Sequence, residues 1–416
     1  MDSHFVPDAT PDTTTAPAVD ATRTAPPSSS AAPAAEPKAA TSGTGGLPGG
    51  RLVSLDAFRG MTIAGMLLVN NPGTWSHIYA PLRHAPWHGW TPTDLIFPFF
   101  LFIVGVAMTF SYGKRLERGA DRGVLLRKAA RRSLILFGLG LALHGFPNYD
   151  LSTIRIPGVL QRIAIASFCA TAIVLAFRVR GQAIAAAVLL LGYWALITLV
   201  PVPGVGAGVL EPGQDLGAWL DRMIFGTQHL WVYAETWDPE GLLSTMPAVA
   251  SVLLGVLVGH GIRADRPERA KLTGLLAFGA AATLVGLAWG TVLPINKNLW
   301  TSSYAVLTAG LGALFLGACY WLIDIRGRRG WATPFVIFGT NAIAAFFLSS
   351  LFARILNLIT VGSGAEATTL KAFLYQTAFA SWLSPINASL AFAISYVLVW
   401  LGAMAVLYRK GIFIKV

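Results

Sequence analysis

The chain has 416 residues, 54% of them hydrophobic and only 12% charged, with a mean hydropathy of +0.60; soluble domains carry about 25% charged residues, so a water-soluble fold is excluded. The net charge of +11 comes from short basic clusters set between long apolar runs, which is the pattern of membrane topology and not a nucleic-acid footprint. Its two cysteines, Cys169 and Cys319, each lie inside an apolar run, which excludes a disulfide framework and a cysteine metal site.

Residues 1–50 are dominated by Ala, Pro, Thr, Ser and Gly, without an apolar stretch for a signal-peptide core, and predict a disordered, uncleaved cytoplasmic tail. Residues 51–416 predict a single transmembrane domain, an all-α polytopic bundle. Its ten apolar stretches lie near 54–71, 94–112, 132–147, 157–177, 183–200, 243–261, 273–293, 302–324, 334–357 and 386–407, and most approach the roughly 20 residues needed to cross a bilayer. The segment 113–132 holds Lys114, Arg115, Arg118, Arg122, Arg127, Lys128, Arg131 and Arg132 and is expected to be a cytoplasmic loop. Counting spans from there puts Arg178/Arg180, the Arg263–Lys271 cluster, Arg326/Arg328/Arg329 and both termini on that same side. The loops 72–93, 148–156, 201–242, 294–301 and 358–385 then face the exterior or periplasm. Segment 366–383 is apolar, but a span there would carry the basic C-terminal residues outside, so an amphipathic or re-entrant helix at the outer interface is expected. Segment 216–233 reads the same way.

Polar groups within or at the edge of a membrane are functional candidates because they are costly there. Asp56 and Arg59 lie three apart on one face of the first span and can pair. The outer end of that span carries Asn70, and the loop beyond it packs His84, Trp87, His88, Trp90 and Asp94 between prolines and glycines. A neutral imidazole takes up a proton near neutral pH, so His84 is the candidate base and Asp94 its orienting partner. His84 and His88 are four apart, but Pro86 and Gly89 oppose a helix there, so no metal site is expected. Gln161 and Arg162 fall a turn inside the fourth span, where Arg162 needs either an acidic partner on another helix or an anionic part of a cofactor. Asp238 and Glu240 precede the sixth span, with an N-capping role open to Asp238, and Asn296, Lys297, Asn298 and Trp300 follow the seventh. Acid, amide, ammonium and indole groups gathered on one face suit a sugar. Asn341 reads as an intramembrane helix–helix hydrogen bond. There is no GxxxxGK[ST], HExxH or GxSxG string to support nucleotide hydrolysis or metallohydrolase chemistry.

Seven strings occur in order: Ser54-Leu-Asp56-Ala-Phe-Arg59-Gly60, Val69-Asn70, His84-Ala-Pro-Trp87-His-Gly89, Asp94-Leu-Ile-Phe97-Pro98, Ile156-Pro-Gly-Val-Leu-Gln161-Arg162, Asp238-Pro-Glu240-Gly241 and Asn296-Lys297-Asn298-Leu-Trp300. Together they resemble the heparan-alpha-glucosaminide N-acetyltransferase family of membrane enzymes and its bacterial relatives. The resemblance implies acetyl-CoA supplied from the cytosol, a saccharide acceptor on the opposite face, and an active-site histidine at His84 with Asn70 nearby. It also implies a bacterial inner membrane, where a glucosamine-like, cell-wall or exported oligosaccharide is the expected acceptor.

In this reading His84 removes the acceptor's proton or first carries the acetyl group itself, and Asn70 hydrogen-bonds the oxyanion, a contribution of about 3 kcal/mol. Arg59, Gln161, Arg162, Arg131 and Arg132 are candidates for holding acetyl-CoA, the last two through its phosphates. Trp87, Asp238, Glu240, Asn296, Lys297 and Trp300 are candidates for the sugar. The rival reading is a transporter or flippase for a sugar or lipid-linked saccharide, to which His84 would be dispensable. A receptor or scaffold would leave the His/Trp/Asp cluster unexplained. Gly- and Ala-rich spans permit close helix packing, including with a second copy as a homodimer.

Overall fold

The computed structural model describes residues 52–364 and 367–414; the tail expected over 1–50 lies outside the described residues. The long helices are α1 (Val53–Asn70), α2 (Ile96–Glu117), α3 (Arg122–Gly145), α4 (Val159–Ala176), α5 (Val179–Leu199), α7 (Thr245–Arg263), α8 (Glu268–Trp289), α9 (Ser302–Cys319) and α13 (Pro385–Arg409). A further pair, α10 (Thr333–Thr340) and α11 (Ala342–Leu358), is bent by 72° at Asn341. Among the described residues, seven helices alone, and an eighth if the bent pair is one span, are long and apolar enough to cross a membrane. Adding α1 and α3, whose Asp56, Arg59 and string of arginines dilute their apolar character, brings the number of bundle helices to the ten expected.

Two short helices decorate the end of the bundle that carries His84. One is α6 (Leu216–Phe225), capped by Asp215, which accepts from Ala218 N. The other is α12 (Leu370–Tyr375), continued to Ala380 by a π turn; eleven residues from Leu370 to Ala380 rise only about 16 Å and cannot span a bilayer.

The basic segment 113–132 is not a loop. Asp121 caps α3 by accepting from Val124 N at 2.8 Å, and the Ala-, Leu-, Arg- and Lys-rich residues that follow are good helix formers, so the helix starts at Arg122 and carries Arg127, Lys128, Arg131 and Arg132 along its length. Only Arg118–Asp121 remain between α2 and α3. Arg132 thereby stands ten residues inside a helix instead of in a loop.

The core lies where α2, α4, α7 and α9 meet, with Leu101, Leu160, Ala164, Leu253, Trp300 and Tyr304 all buried. Small residues permit this close packing: on α7 a Cβ at Gly255 would lie 2.1 Å from the Phe102 carbonyl oxygen of α2. The same device joins α1 to α10 through Gly60 and Gly339. At the bend that follows, fully buried Asn341 donates to Ile412 O at 3.1 Å and accepts from Ile414 N at 2.8 Å. Its partner is therefore the backbone beyond α13 and not another helix side chain.

Candidate active site

The 71–95 connection is held at both ends. Thr74 N donates to Ser389 Oγ at 3.1 Å, Tyr79 hydroxyl donates to Asn387 at 2.6 Å, and Asp94 closes a 3₁₀ turn over Pro92–Leu95. Asp94 is 1% exposed, and its two oxygens divide the work. Oδ2 accepts from Ala85 N at 3.0 Å, Thr91 N at 3.0 Å and Thr91 Oγ1 at 3.1 Å. Oδ1 is left to meet His84 Nδ1 at 2.6 Å. A carboxylate so placed accepts Nδ1–H, which leaves the lone pair on Nε2. The ring is half exposed, its side chain 45% accessible.

Two further loops close on this pair. Gly89 N donates to Ile295 O at 2.7 Å, tying the histidine loop to residues 294–301. Asn296 is completely buried; its Oδ1 accepts from Leu299 N at 2.9 Å and its Nδ2 lies 3.3 Å from His88 Nδ1. That turn aims Lys297 at the imidazole, with Nζ 2.9 Å from Nδ1, 3.4 Å from Nε2 and 3.5 Å from Asp94 Oδ1. Burial pulls the Lys297 ammonium below its ordinary pKa, against the opposing pull of Asp94 and Glu240.

The second loop, ahead of α7, is organised by Arg155. Its guanidinium donates to Asp238 at 2.8 Å and 2.6 Å and to Glu240 at 2.6 Å, the forked geometry that suits Arg and not Lys. Asp238 therefore grips Arg155 instead of capping α7, whose N-cap is Ser244. Burial opposes ionisation of Glu240, but Arg155, Arg162 and Lys297 outweigh it and hold the group below the usual carboxylate range. Along the same loop runs a chain of edge-to-face aromatic rings. Trp87 meets Trp237 at 4.9 Å, Trp237 meets Trp231 at 5.9 Å, and Trp231 meets Tyr233 at 5.7 Å.

These groups form the mouth of a cavity of about 850 Å³. His84, Lys297, Asn298, Glu240 and Arg155 line one end with Trp231, Tyr233 and Trp237. One stripe of α1, from Thr62 through Met66 to Asn70, runs along its wall, a rise of about 12 Å. The middle is apolar, built from Phe97, Phe100, Leu136, Ile343 and Phe346, and Arg132 stands in the wall beside Leu136.

The structure thus brings His84, Asp94, Asn70, Glu240, Lys297 and Arg132 to one cavity or its immediate wall. The other residues singled out in the sequence sit elsewhere. Arg59 pairs with Asp56 at 3.1 Å near the start of α1. Gln161 faces α3, where a Cβ on Gly140 would lie 2.2 Å from its Oε1. Among the described residues Arg162 forms no ion pair, although Glu240 acts on it electrostatically; it donates to Gly241 O at 3.1 Å and to Ser244 Oγ, and lies 5.1 Å over the Trp300 ring. Trp300, 1% exposed, donates to Ser251 Oγ at 3.1 Å within the core. Trp87 donates to Leu210 O at 2.7 Å and supports Trp237 from behind. Asp238 and Asn296 hold their loops, and Arg131 is exposed without lining the cavity. Asn298, which the sequence places beside Lys297, also lines the cavity; Arg155, Trp231, Tyr233 and Trp237 are additions of the structure, and the Trp- and Tyr-rich run 231–237 is the sequence signal for three of them.

Comparison with known proteins places this geometry in a family. The profile of the heparan-alpha-glucosaminide N-acetyltransferase catalytic domain matches residues 51–291. Heparan-alpha-glucosaminide N-acetyltransferase of Homo sapiens is 30% identical over 359 residues, 73% of this chain and 53% of that protein. Its Mus musculus counterpart is 30% identical over 351 residues, 71% of this chain and 53% of that protein. The chain thus spans about half the length of these relatives. Protein DETOXIFICATION 55 of Arabidopsis thaliana is 30% identical over only 128 residues, 28% of this chain, too little to carry a family. With the profile covering more than half of the chain, and the His84, Asp94 and Lys297 strings meeting at one cavity, the protein belongs to the heparan-alpha-glucosaminide N-acetyltransferase family.

Proposed function

We propose that the chain moves an acetyl group from acetyl-CoA to the amino group, or a hydroxyl, of a saccharide at His84. The observation that carries this reading is the Asp94–His84 contact at 2.6 Å at the mouth of a cavity whose wall reaches Arg132. Asp94 fixes the imidazole with Nε2 as acceptor, so that nitrogen takes the proton of the attacking amine as the amine adds to the thioester carbonyl. The apolar middle of the cavity fits the chain of the donor, and Arg132 offers a cation to its phosphates. Trp231, Tyr233 and Trp237 offer ring faces to a pyranose.

In this proposal the arginine-rich end is cytoplasmic, as the basic clusters imply. The His84 end then faces the periplasm of a bacterial inner membrane, both termini are cytoplasmic, and acetyl-CoA is delivered from the cytosol. No metal takes part in the step. Purified protein in detergent should label glucosamine or a related sugar from labelled acetyl-CoA, and His84→Ala should not. Labelling that persists in the variant removes His84 from the step, and a wild type that neither binds acetyl-CoA nor labels any sugar favours transport of a saccharide instead.

A further inference from the structure

We infer that Lys297 is a catalytic residue of this transfer, the cation that stabilises the oxyanion; the inference rests on reading the cavity as an acetyl-transfer site. Its Nζ is 2.9 Å from Nδ1 and 3.4 Å from Nε2 of the same ring. The two lone-pair directions of an imidazole diverge, so a group this close to both nitrogens lies against the ring and not in line with either. Nδ1–H is already committed to Asp94 at 2.6 Å, so this nitrogen cannot also accept from the ammonium.

What holds the ammonium here is charge. Asp94 Oδ1 is 3.5 Å away, and Glu240 acts on it electrostatically. An ammonium has three N–H donors. Asp94 engages one at long range, and Lys297 lines the cavity beside Asn298, which leaves donors for a bound substrate.

The position fits the reaction. An attacking nitrogen that gives its proton to Nε2 sits about 2.6–3.2 Å from it, and the carbonyl carbon lies about 3–3.5 Å from that nitrogen. Nζ lies over the ring 3.4 Å from Nε2, so a carbonyl that folds back from the attacking nitrogen over the imidazole face turns its oxygen toward the Lys297 ammonium. The nitrogen–carbon bond forms as the carbonyl π pair moves to oxygen, where Lys297 meets it, and Nε2 takes the amine proton. The oxyanion then collapses, the carbon–sulfur bond breaks, and the leaving thiolate takes the proton back from His84. Asn70 lines the same cavity but supplies a neutral donor, whereas charge-assisted hydrogen bonds are about twice as strong.

The test compares full-length wild type, Lys297→Met, Lys297→Arg and His84→Ala in detergent, each checked for its thermal midpoint and for acetyl-CoA binding. Lys297→Met should lower kcat by about 10²–10³-fold while acetyl-CoA affinity stays near wild type, and Lys297→Arg should recover part of the loss. A ketone analogue of acetyl-CoA, with methylene in place of sulfur, should show a lower carbonyl stretching frequency bound to wild type or Lys297→Arg than bound to Lys297→Met; a lysine that merely neutralises Asp94 would leave that frequency unchanged. Overturning results are a Lys297→Met kcat close to wild type, a loss confined to KM, or no difference in the carbonyl frequency. If wild type and His84→Ala are equally inactive with every acceptor, the acetyl-transfer reading itself fails, and the role of Lys297 fails with it.

Discussion

Gly60 of α1 and Gly339 of α10 bring two backbones into direct contact: a Cβ on Gly339 would lie 2.0 Å from the Asp56 carbonyl oxygen, and a Cβ on Gly60 would lie 1.6 Å from that of Phe335. Backbone cannot rotate aside as a side chain can. Gly60→Ala or Gly339→Ala is therefore expected to destabilise the bundle by at least about 1–3 kcal/mol, read as a lower thermal midpoint in detergent. Gly138→Ala on α3, where a Cβ meets nothing within 4 Å, should hold or raise the midpoint, since alanine favours a helix by up to about 1 kcal/mol.

His84 acts with Asp94 as one unit, the carboxylate oxygen 2.6 Å from Nδ1. His84→Ala is expected to lower kcat for acetyl transfer by about 10²–10⁴-fold. Asp94→Asn should lose much of the same factor, because an amide can present N–H to Nδ1 and move the ring proton to Nε2. Nitrogen-15 spectra of a His84-labelled protein should report protonated Nδ1 in the wild type and lose that signature in Asp94→Asn.

Arg132 is the basic residue that lines the cavity from α3. Arg132→Ala should raise KM for acetyl-CoA by about tenfold or more, in keeping with roughly 1.5–3 kcal/mol for a hydrogen bond to a charged group, and leave KM for the sugar unchanged. Dephospho-CoA donors should narrow the gap between wild type and variant. Arg131→Ala, one residue away and outside the cavity lining, serves as the control and should behave as wild type.

Asp221, 2% exposed on α6, is pushed by burial from 3.8 to about 7, although the Leu242 N–H works the other way. Between these values the folded chain holds a proton that the unfolded chain releases. The penalty of burying this carboxyl is therefore absent below about pH 4, grows as the pH rises, and is complete above about pH 7. Asp221→Asn removes it, so the variant should melt above the wild type at pH 8, by up to about 4 kcal/mol in stability, and match it at pH 4. A pH-independent difference in midpoint would contradict this.

The sequence carried the helices and the pairings between near neighbours well. Apolar runs marked the bundle, and the spacings of Asp56 to Arg59 and of His84 to Asp94 pointed to contacts the structure contains. Pairings across distant segments were harder to see. Lys297 meets His84 across 213 residues, and Arg155 meets Asp238 across 83; neither distance along the chain leaves a periodic trace. Reading Arg131 and Arg132 as loop residues failed because charge counting weighs polarity and ignores the helix propensity of the residues between them. Trp300 and Asn296 look like sugar ligands by type, yet the turn at 294–301 uses both for its own packing. Asn341 was legible as a buried amide that needs a partner, but the sequence could not name a backbone segment more than seventy residues on.

The junction of α1 with α10 also bears on the order in which the molecule is assembled. Arg59 reaches the Gly339 carbonyl across 280 residues of chain, and the segment held by Asn341 comes later still. At about 5–20 residues per second, a ribosome needs roughly 15–60 s to make the stretch between them. For that time α1 stands in the bilayer without its main neighbour, with Asp56 and Arg59 able to offset each other's charge from one helical turn apart. Pairing within a single helix lets the first span wait for the ninth.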